Sequence, residues 1–176
     1  MKYRLPVLED EALLKEYVEE HYANNENTIS ASVNLISMNF AEWVEKVNRN
    51  STTPDDEWGK YYMYLAFNDD DQLIGLLNIR FDLADSLKEE FGEIGYGVRP
   101  SERRKGYATQ MLKDALEICK EKNMKEVILG CFDDNIGSNK TILNNQGVLY
   151  KNDDKNVLIN GSWNIDLKRN YYKITL

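Results

Sequence analysis

Apolar residues along this chain switch between helical and strand spacing, and each switch marks an element. Over residues 8–23, Leu13, Leu14, Tyr17 and Val18 gather on one face at helical spacing, and a polar break follows at 24–27. Phe40, Trp43, Val44 and Val47 repeat that spacing over 40–47, with Asn39 placed to cap the helix. Residues 51–59 are loop by composition. Residues 2–5 predict a short first strand. The runs at 61–67 and 73–81 predict a hairpin turning at Asn68, Asp69, Asp70 and Asp71. Residues 82–91 form a longer connection with one helical turn. Ile94, Tyr96 and Val98 then alternate with Glu93, Gly95 and Gly97 as a strand. Ala108, Met111, Leu112, Ala115, Leu116 and Cys119 restore the helical period. A strand at 126–132, a helix at 136–145 and a strand at 148–151 come next. Residues 157–159 and 163–167 read as strand pieces, Asp153 to Lys155 as a solvated turn, and 171–176 as the closing strand.

This order is mixed α/β, with the helix after Arg103 joining two neighbouring parallel strands by a right-handed crossover. A length of 176 residues suits a single domain with a sizeable core. No apolar run reaches the ~18–20 residues that a membrane helix needs. Residues 1–20 are dense in charge and lack a signal-peptide core. Cys119 and Cys131 fall in a helix and a strand, which predicts buried, reduced thiols and a cytoplasmic setting. His21 is the one histidine, placed to favour the end of the first helix, and no Cys/His cluster suggests a metal. The net charge of −8 argues against nucleic-acid binding and allows a cationic partner.

Arg103, Arg104 and Lys105 change the picture, because they stand where a helix begins. A helix N-terminus already carries partial positive charge and normally attracts acidic residues. Stacking three cations there makes sense around an anion. Gly106 costs about 1 kcal/mol against Ala inside a helical turn, and its bare backbone lets a ligand come close. Free N–H groups, helix dipole and cations together make a phosphate cradle. Neither the G-x-x-x-x-G-K-[ST] nor the G-x-G-x-x-G spacing is present, since Gly92, Gly95 and Gly97 lie in or before the strand.

Val98-Arg99-Pro100, followed by Arg103-x-x-Gly106-x-Ala108, resembles the pyrophosphate motif of the GNAT superfamily of acyl-CoA-dependent N-acetyltransferases. Asp134-Asn135-Ile136-Gly137-Ser138, with Gly147 beyond, is similar to the second motif of that family. The resemblance spans nearly the whole chain. It implies the GNAT fold: an α/β (α+β) domain with a central mixed twisted sheet, helices on both faces, and two splayed parallel strands holding the cofactor. It further implies that Tyr96, Gly97 and Val98 pair with the pantetheine of acetyl-CoA. Arg103, Arg104, Lys105, Gly106, Tyr107, Ala108 and Thr109 would hold the pyrophosphate, with Asn135 and Ser138 near the pantetheine. The family uses no metal. The expected partners are acetyl-CoA and an amine acceptor, without nucleic acid or membrane; a homodimer is left open.

The chemistry sets the remaining expectations. An acceptor amine, with a pKa near 10.4 for lysine, must lose a proton before it attacks a thioester, to a carboxylate or an ordered water. Glu93 is the expected base, upstream of Val98, whose N–H is the expected oxyanion donor. The departing thiolate takes a proton, often from a tyrosine that relatives carry where this chain has Ile142. Tyr172, Tyr171, Tyr96 or water stand in for it. Cys131 lacks an activating base, so direct attack is expected rather than an acetylated enzyme. Two functions remain: an N-acetyltransferase acting on a small molecule or peptide, or a CoA-binding module without turnover. The acceptor is set by the loops at 24–38, 51–59 and 82–91.

Overall fold

The computed structural model describes residues 1–54, 58–159 and 162–176, with main chain alone at 155–159 and 162–167. Its strands form two antiparallel sheets. One has the order β1-β2-β3-β4, from β1 (Lys2–Arg4), β2 (Tyr61–Phe67), β3 (Leu73–Arg80) and β4 (Ile94–Val98). The other has the order β5-β7-β6, from β5 (Glu126–Phe132), β6 (Val148–Ile159) and β7 (Ser162–Thr175). The α+β fold matches expectation, and its sheet parts between β4 and β5, the two strands expected to splay. Contact survives at the base of the parting, where Glu93 N–H donates to Ile128 O at 2.9 Å. Gly92, at φ +74°, turns the chain into that contact. Past it, no ladder joins the two strands.

Two cores lie on opposite faces. Helix α4 (Tyr107–Glu121) buries Met111, Leu112, Ala115, Leu116 and Cys119, the residues its spacing singles out. They pack against Leu77 and Ile79 of β3 and Val127 and Leu129 of β5, so α4 spans both sheets. Helices α1 (Glu11–Ala23) and α2 (Phe40–Asn50) cover the other face with Leu14, Tyr17, Trp43, Val44 and Val47. Asn39 caps α2, its side chain accepting from Ala41 and Glu42 N–H. At α1 a short 3-10 turn (Leu8–Asp10) precedes the helix. There Asp10 is held by Arg4 at 2.6 and 2.7 Å and by Val7 N–H at 2.8 Å.

Two segments differ from expectation. The connection at 82–91 contains a full helix, α3 (Asp85–Phe91), whose polar composition hides its short apolar face. The strand pieces after 148 are one long hairpin, β6 and β7. Register shifts at Leu149/Lys151 and Lys155/Val157 break the alternation there. The expected turn at Asp153 to Lys155 is paired strand, with Asp153 opposite Arg169 and Asp154 opposite Lys168. Of the loop at 51–59, residues 55–57 lie outside the described residues.

Candidate functional site

The loop before α4 leaves its amides bare. Arg104 (φ 65°) and Gly106 (φ 85°) both take the left-handed conformation, which makes a concave nest of successive N–H groups. Arg103 N–H bonds to Pro100 O and Gln110 N–H to Gly106 O. Between them, the N–H groups of residues 104–109 have no acceptor among the described residues. A β-carbon on Gly106 would meet nothing within 4 Å, so the space over the nest is open. The nest fits an anionic group of several oxygens.

The three cations differ in what they can do there. Lys105 is paired with Glu102 at 2.9 Å and lies outside the cavity lining. Arg103 grips Glu26 through both terminal nitrogens, at 2.5 and 2.7 Å, while its Nε donates to Val98 O at 3.0 Å. Among the described residues, only Arg104 of the three has no acidic partner. Glu26 escaped sequence reasoning because it sits in the polar break after α1, remote from the motif. His21 stands in the last turn of α1, as expected, and is 2% exposed there, with Nδ1 2.7 Å from Glu26. The Arg103 guanidinium, helped by His21, holds the Glu26 carboxyl down at about 2, against burial that acts the other way.

A cavity of about 830 Å³ runs from the nest into the parting between β4 and β5. Arg103, Arg104, Gly106, Tyr107, Ala108 and Thr109 line its mouth, and Tyr96, Gly97, Val98, Asn135 and Ser138 line its depth. The β3–β4 register accounts for the free edge. Arg80 N–H bonds to Glu93 O and Arg99 N–H to Ile74 O, so odd-numbered residues of β4 face β3. Antiparallel alternation turns the N–H and C=O of Tyr96 and Val98 the other way, into the parting, where Val98 O already accepts from Arg103 Nε. The glycines of β4 serve the opposite face. A β-carbon on Gly97 would stand 2.8 Å from Ser30 O, so its absence lets the loop between α1 and α2 cross the strand.

The expected catalytic side chains separate. Glu93 is 4% exposed and absent from the cavity lining; its Oε2 accepts Ile128 N–H at 2.8 Å. Burial raises its carboxyl, and Lys88 lies 3.8 Å away. The carboxylate joins β4 and β5 at their base. Tyr172 is 3% exposed, outside the lining, and its hydroxyl donates to Asn139 Oδ1 at 2.5 Å. Tyr171 is buried as well. Tyr96 does reach the cavity, its hydroxyl 2.9 Å from Ser138 Oγ, and burial raises its phenol. Asn135 Oδ1 accepts Ser138 N–H at 3.0 Å, capping α5 (Ile136–Asn144) and fixing Ser138 under that tyrosine. Ile142 is core. Cys131 lines the cavity with its thiol pushed up by burial. Among the described residues no group of three His, Cys, Asp or Glu could hold a metal, and no helix is long and apolar enough to cross a membrane.

Residues 12–144 match the model of the acetyltransferase (GNAT) family. The chain belongs to that family. No curated protein matches the sequence. Solved GNAT structures resemble it in fold. One is the acetyltransferase of Salmonella typhimurium that modifies the N-terminal serine of ribosomal protein L7/L12, at TM-score 0.70 and 19% identity, covering 99% of this chain and 94% of that one. Spermidine N-acetyltransferase of Vibrio cholerae follows at 0.67 and 16%, covering 99% and 95%. The microcin C7 self-immunity acetyltransferase, solved with acetyl-CoA and AMP, gives 0.69 and 17%, covering 99% and 91%.

Within this GNAT domain the Glu26 pair predicts a pH signature. The folded-state value of about 2 lies below the ordinary 4.5, so its stabilisation is complete above 4.5 and fades as pH falls towards 2. Glu26→Gln should cost about 1 kcal/mol at neutral pH, as for a partly exposed pair. Urea midpoints of the two proteins should converge across that acidic window; a gap that persists at its lower end would remove the ion pair as the cause.

Proposed function

We propose that the chain transfers the acetyl group of acetyl-CoA to a primary amine of a small molecule or peptide by direct attack. The observation that carries this reading is the continuity of the bare amide nest at 104–109 with the backbone edge of Tyr96 and Val98. The nest suits a pyrophosphate, and the edge suits the amides of a pantetheine arm. Asn135 and Ser138 shape the wall opposite that edge.

The Val98 N–H, turned into the parting, donates to the carbonyl oxygen as negative charge grows on it. The amine nitrogen bonds to the carbonyl carbon, the carbon–sulfur bond breaks, and the thiolate takes a proton. Tyr96 is the donor supported by position, since its raised phenol stays protonated at neutral pH and borders the parting. The amine gives its proton to water in the groove, a route favoured by the withdrawal of Glu93 into the β4–β5 junction. Overall, the proton lost by the amine replaces the one given to sulfur.

A coupled thiol-release assay over an amine library tests the reading. Turnover with at least one acceptor is expected; CoA binding with no thiol release from any amine would instead favour a binding module. Cys131→Ala should retain most of the turnover, because a buried thiol with a raised pKa is a poor nucleophile. An acetylated Cys131 in the mass spectrum after mixing with acetyl-CoA alone would contradict direct attack.

A further inference from the structure

The cavity is bordered by two guanidinium groups that the reaction above does not use. Leu77 and Ile79 of β3 lie in the α4 core and Leu76 in the α1–α2 core, so alternation places Arg80 on the α1–α2 face. Val127, Leu129 and Cys131 of β5, with Tyr172 and Ile174 of β7, lie in the α4 core. The same alternation puts Gly130 and Arg169 on the other face, with Arg80. Both arginines line the cavity.

One close crossing of backbone links the two positions. Arg80 Nη1 donates to Gly92 O at 2.9 Å. A β-carbon on Gly92 would stand 3.4 Å from Gly130 N, so the two glycines nearly touch. Arg169 lies over Gly130, where a β-carbon would come within 2.6 Å of its Nε. Gly130 is thus the gap in β5 through which the Arg169 guanidinium reaches the cavity.

Neither arginine has a carboxylate partner among the described residues, although the chain carries 30 acidic residues against 22 basic ones. Arg99, also half-buried, is paired with both Glu16 and Glu20. Arg169 Nε is buried without a hydrogen-bond partner among the described residues, flanked by the rings of Phe132 and Tyr171 at 5.9 and 5.7 Å. Burial pulls the Arg80 guanidinium down to about 10. Buried cations left unpaired are costly, and an arriving oxyanion relieves the cost with charge-assisted bonds.

We propose that Arg80 and Arg169 hold an oxyanion group of the acceptor, so that the amine acetylated belongs to a zwitterion: an amino acid or an aminoalkyl phosphonate. The net charge of −8 had allowed a cationic acceptor; the local charge at the cavity wall selects the reverse. A diamine would bring a second cation against two arginines. This inference rests on the acetyltransferase reading, and its test keeps the two apart.

Calorimetry on the CoA-bound protein compares 4-aminobutyrate with butylamine and putrescine, and 2-aminoethylphosphonate with ethylamine; thiol release is measured on the same amines. The zwitterions should bind at least ~10-fold more tightly than the amines lacking the oxyanion, and kcat/KM should follow that order. The carboxylate and phosphonate arms show which oxyanion fits. Arg169→Gln should erase the preference through KM, Arg169→Lys should restore part of it, and CoA affinity should hold in both. Arg80→Gln provides a second test should Arg169→Gln fail to fold. Tighter binding of putrescine, or an equal loss for every amine in the Gln variants, would overturn the assignment. Selective binding of zwitterions without thiol release would uphold the recess and overturn the acetyltransferase reading alone.

Discussion

Gly106→Glu should lower affinity for CoA by ~100-fold or more, the order expected when several charge-assisted bonds are lost together. Two physical effects act in one direction. Gly106 sits at φ 85°, where an L-residue is strained, so the nest changes shape. The space that a β-carbon would enter is open, so the new carboxylate projects where the anion belongs. Calorimetry with CoA, alongside circular dichroism to confirm the fold, measures this directly. Gly106→Ala separates the effects, since it strains the loop without adding charge and should lose less. Wild-type affinity in the Glu variant would remove residues 104–109 from the cofactor site.

Val98→Pro should reduce turnover by ~10²–10³, the usual effect of deleting one oxyanion donor. Proline is normally unsafe in a strand because it removes a ladder bond. Here the β3–β4 register assigns the ladder bonds to odd-numbered residues, so the Val98 N–H points into the parting and its loss leaves the sheet paired. Melting temperature and CoA affinity should change much less than kcat. Turnover at the wild-type level, in a folded variant, would move oxyanion stabilisation to another group.

What could be read in the sequence follows from where each signal is local. The α4 face, the hairpin of β2 and β3, the Asn39 cap and the glycine before α4 are each written within a few adjacent residues, and all recur in the structure. Partners set by tertiary contact could not be read this way. Glu93 has the composition of a base and the position of one along the strand. Its carboxylate turns to Ile128, 35 residues further on. Arg103 carries a pyrophosphate motif, yet its charge is spent on Glu26, 77 residues earlier. Arg80 and Arg169 stand in no motif at all. Their meaning arises only where two glycines, Gly92 and Gly130, let β3 and β7 side chains meet the same cavity. The long β6–β7 hairpin stayed hidden because its register shifts erase the two-residue period.

The nest and the strand edge present main-chain atoms. Every L-residue carries the same N–H and C=O, so most side chains along residues 104–109 and along β4 can be exchanged without altering the chemistry offered. Apart from Tyr96 and Arg104, selection on that end of the cavity acts through backbone shape, which narrows it to a few positions such as Gly106 and Gly97. The opposite end is made of side chains, and a single substitution at Arg80 or Arg169 rewrites it. A protein built this way holds one half of its reaction nearly constant while the other half drifts freely, and a duplicated copy can acquire a new acceptor without relearning its donor.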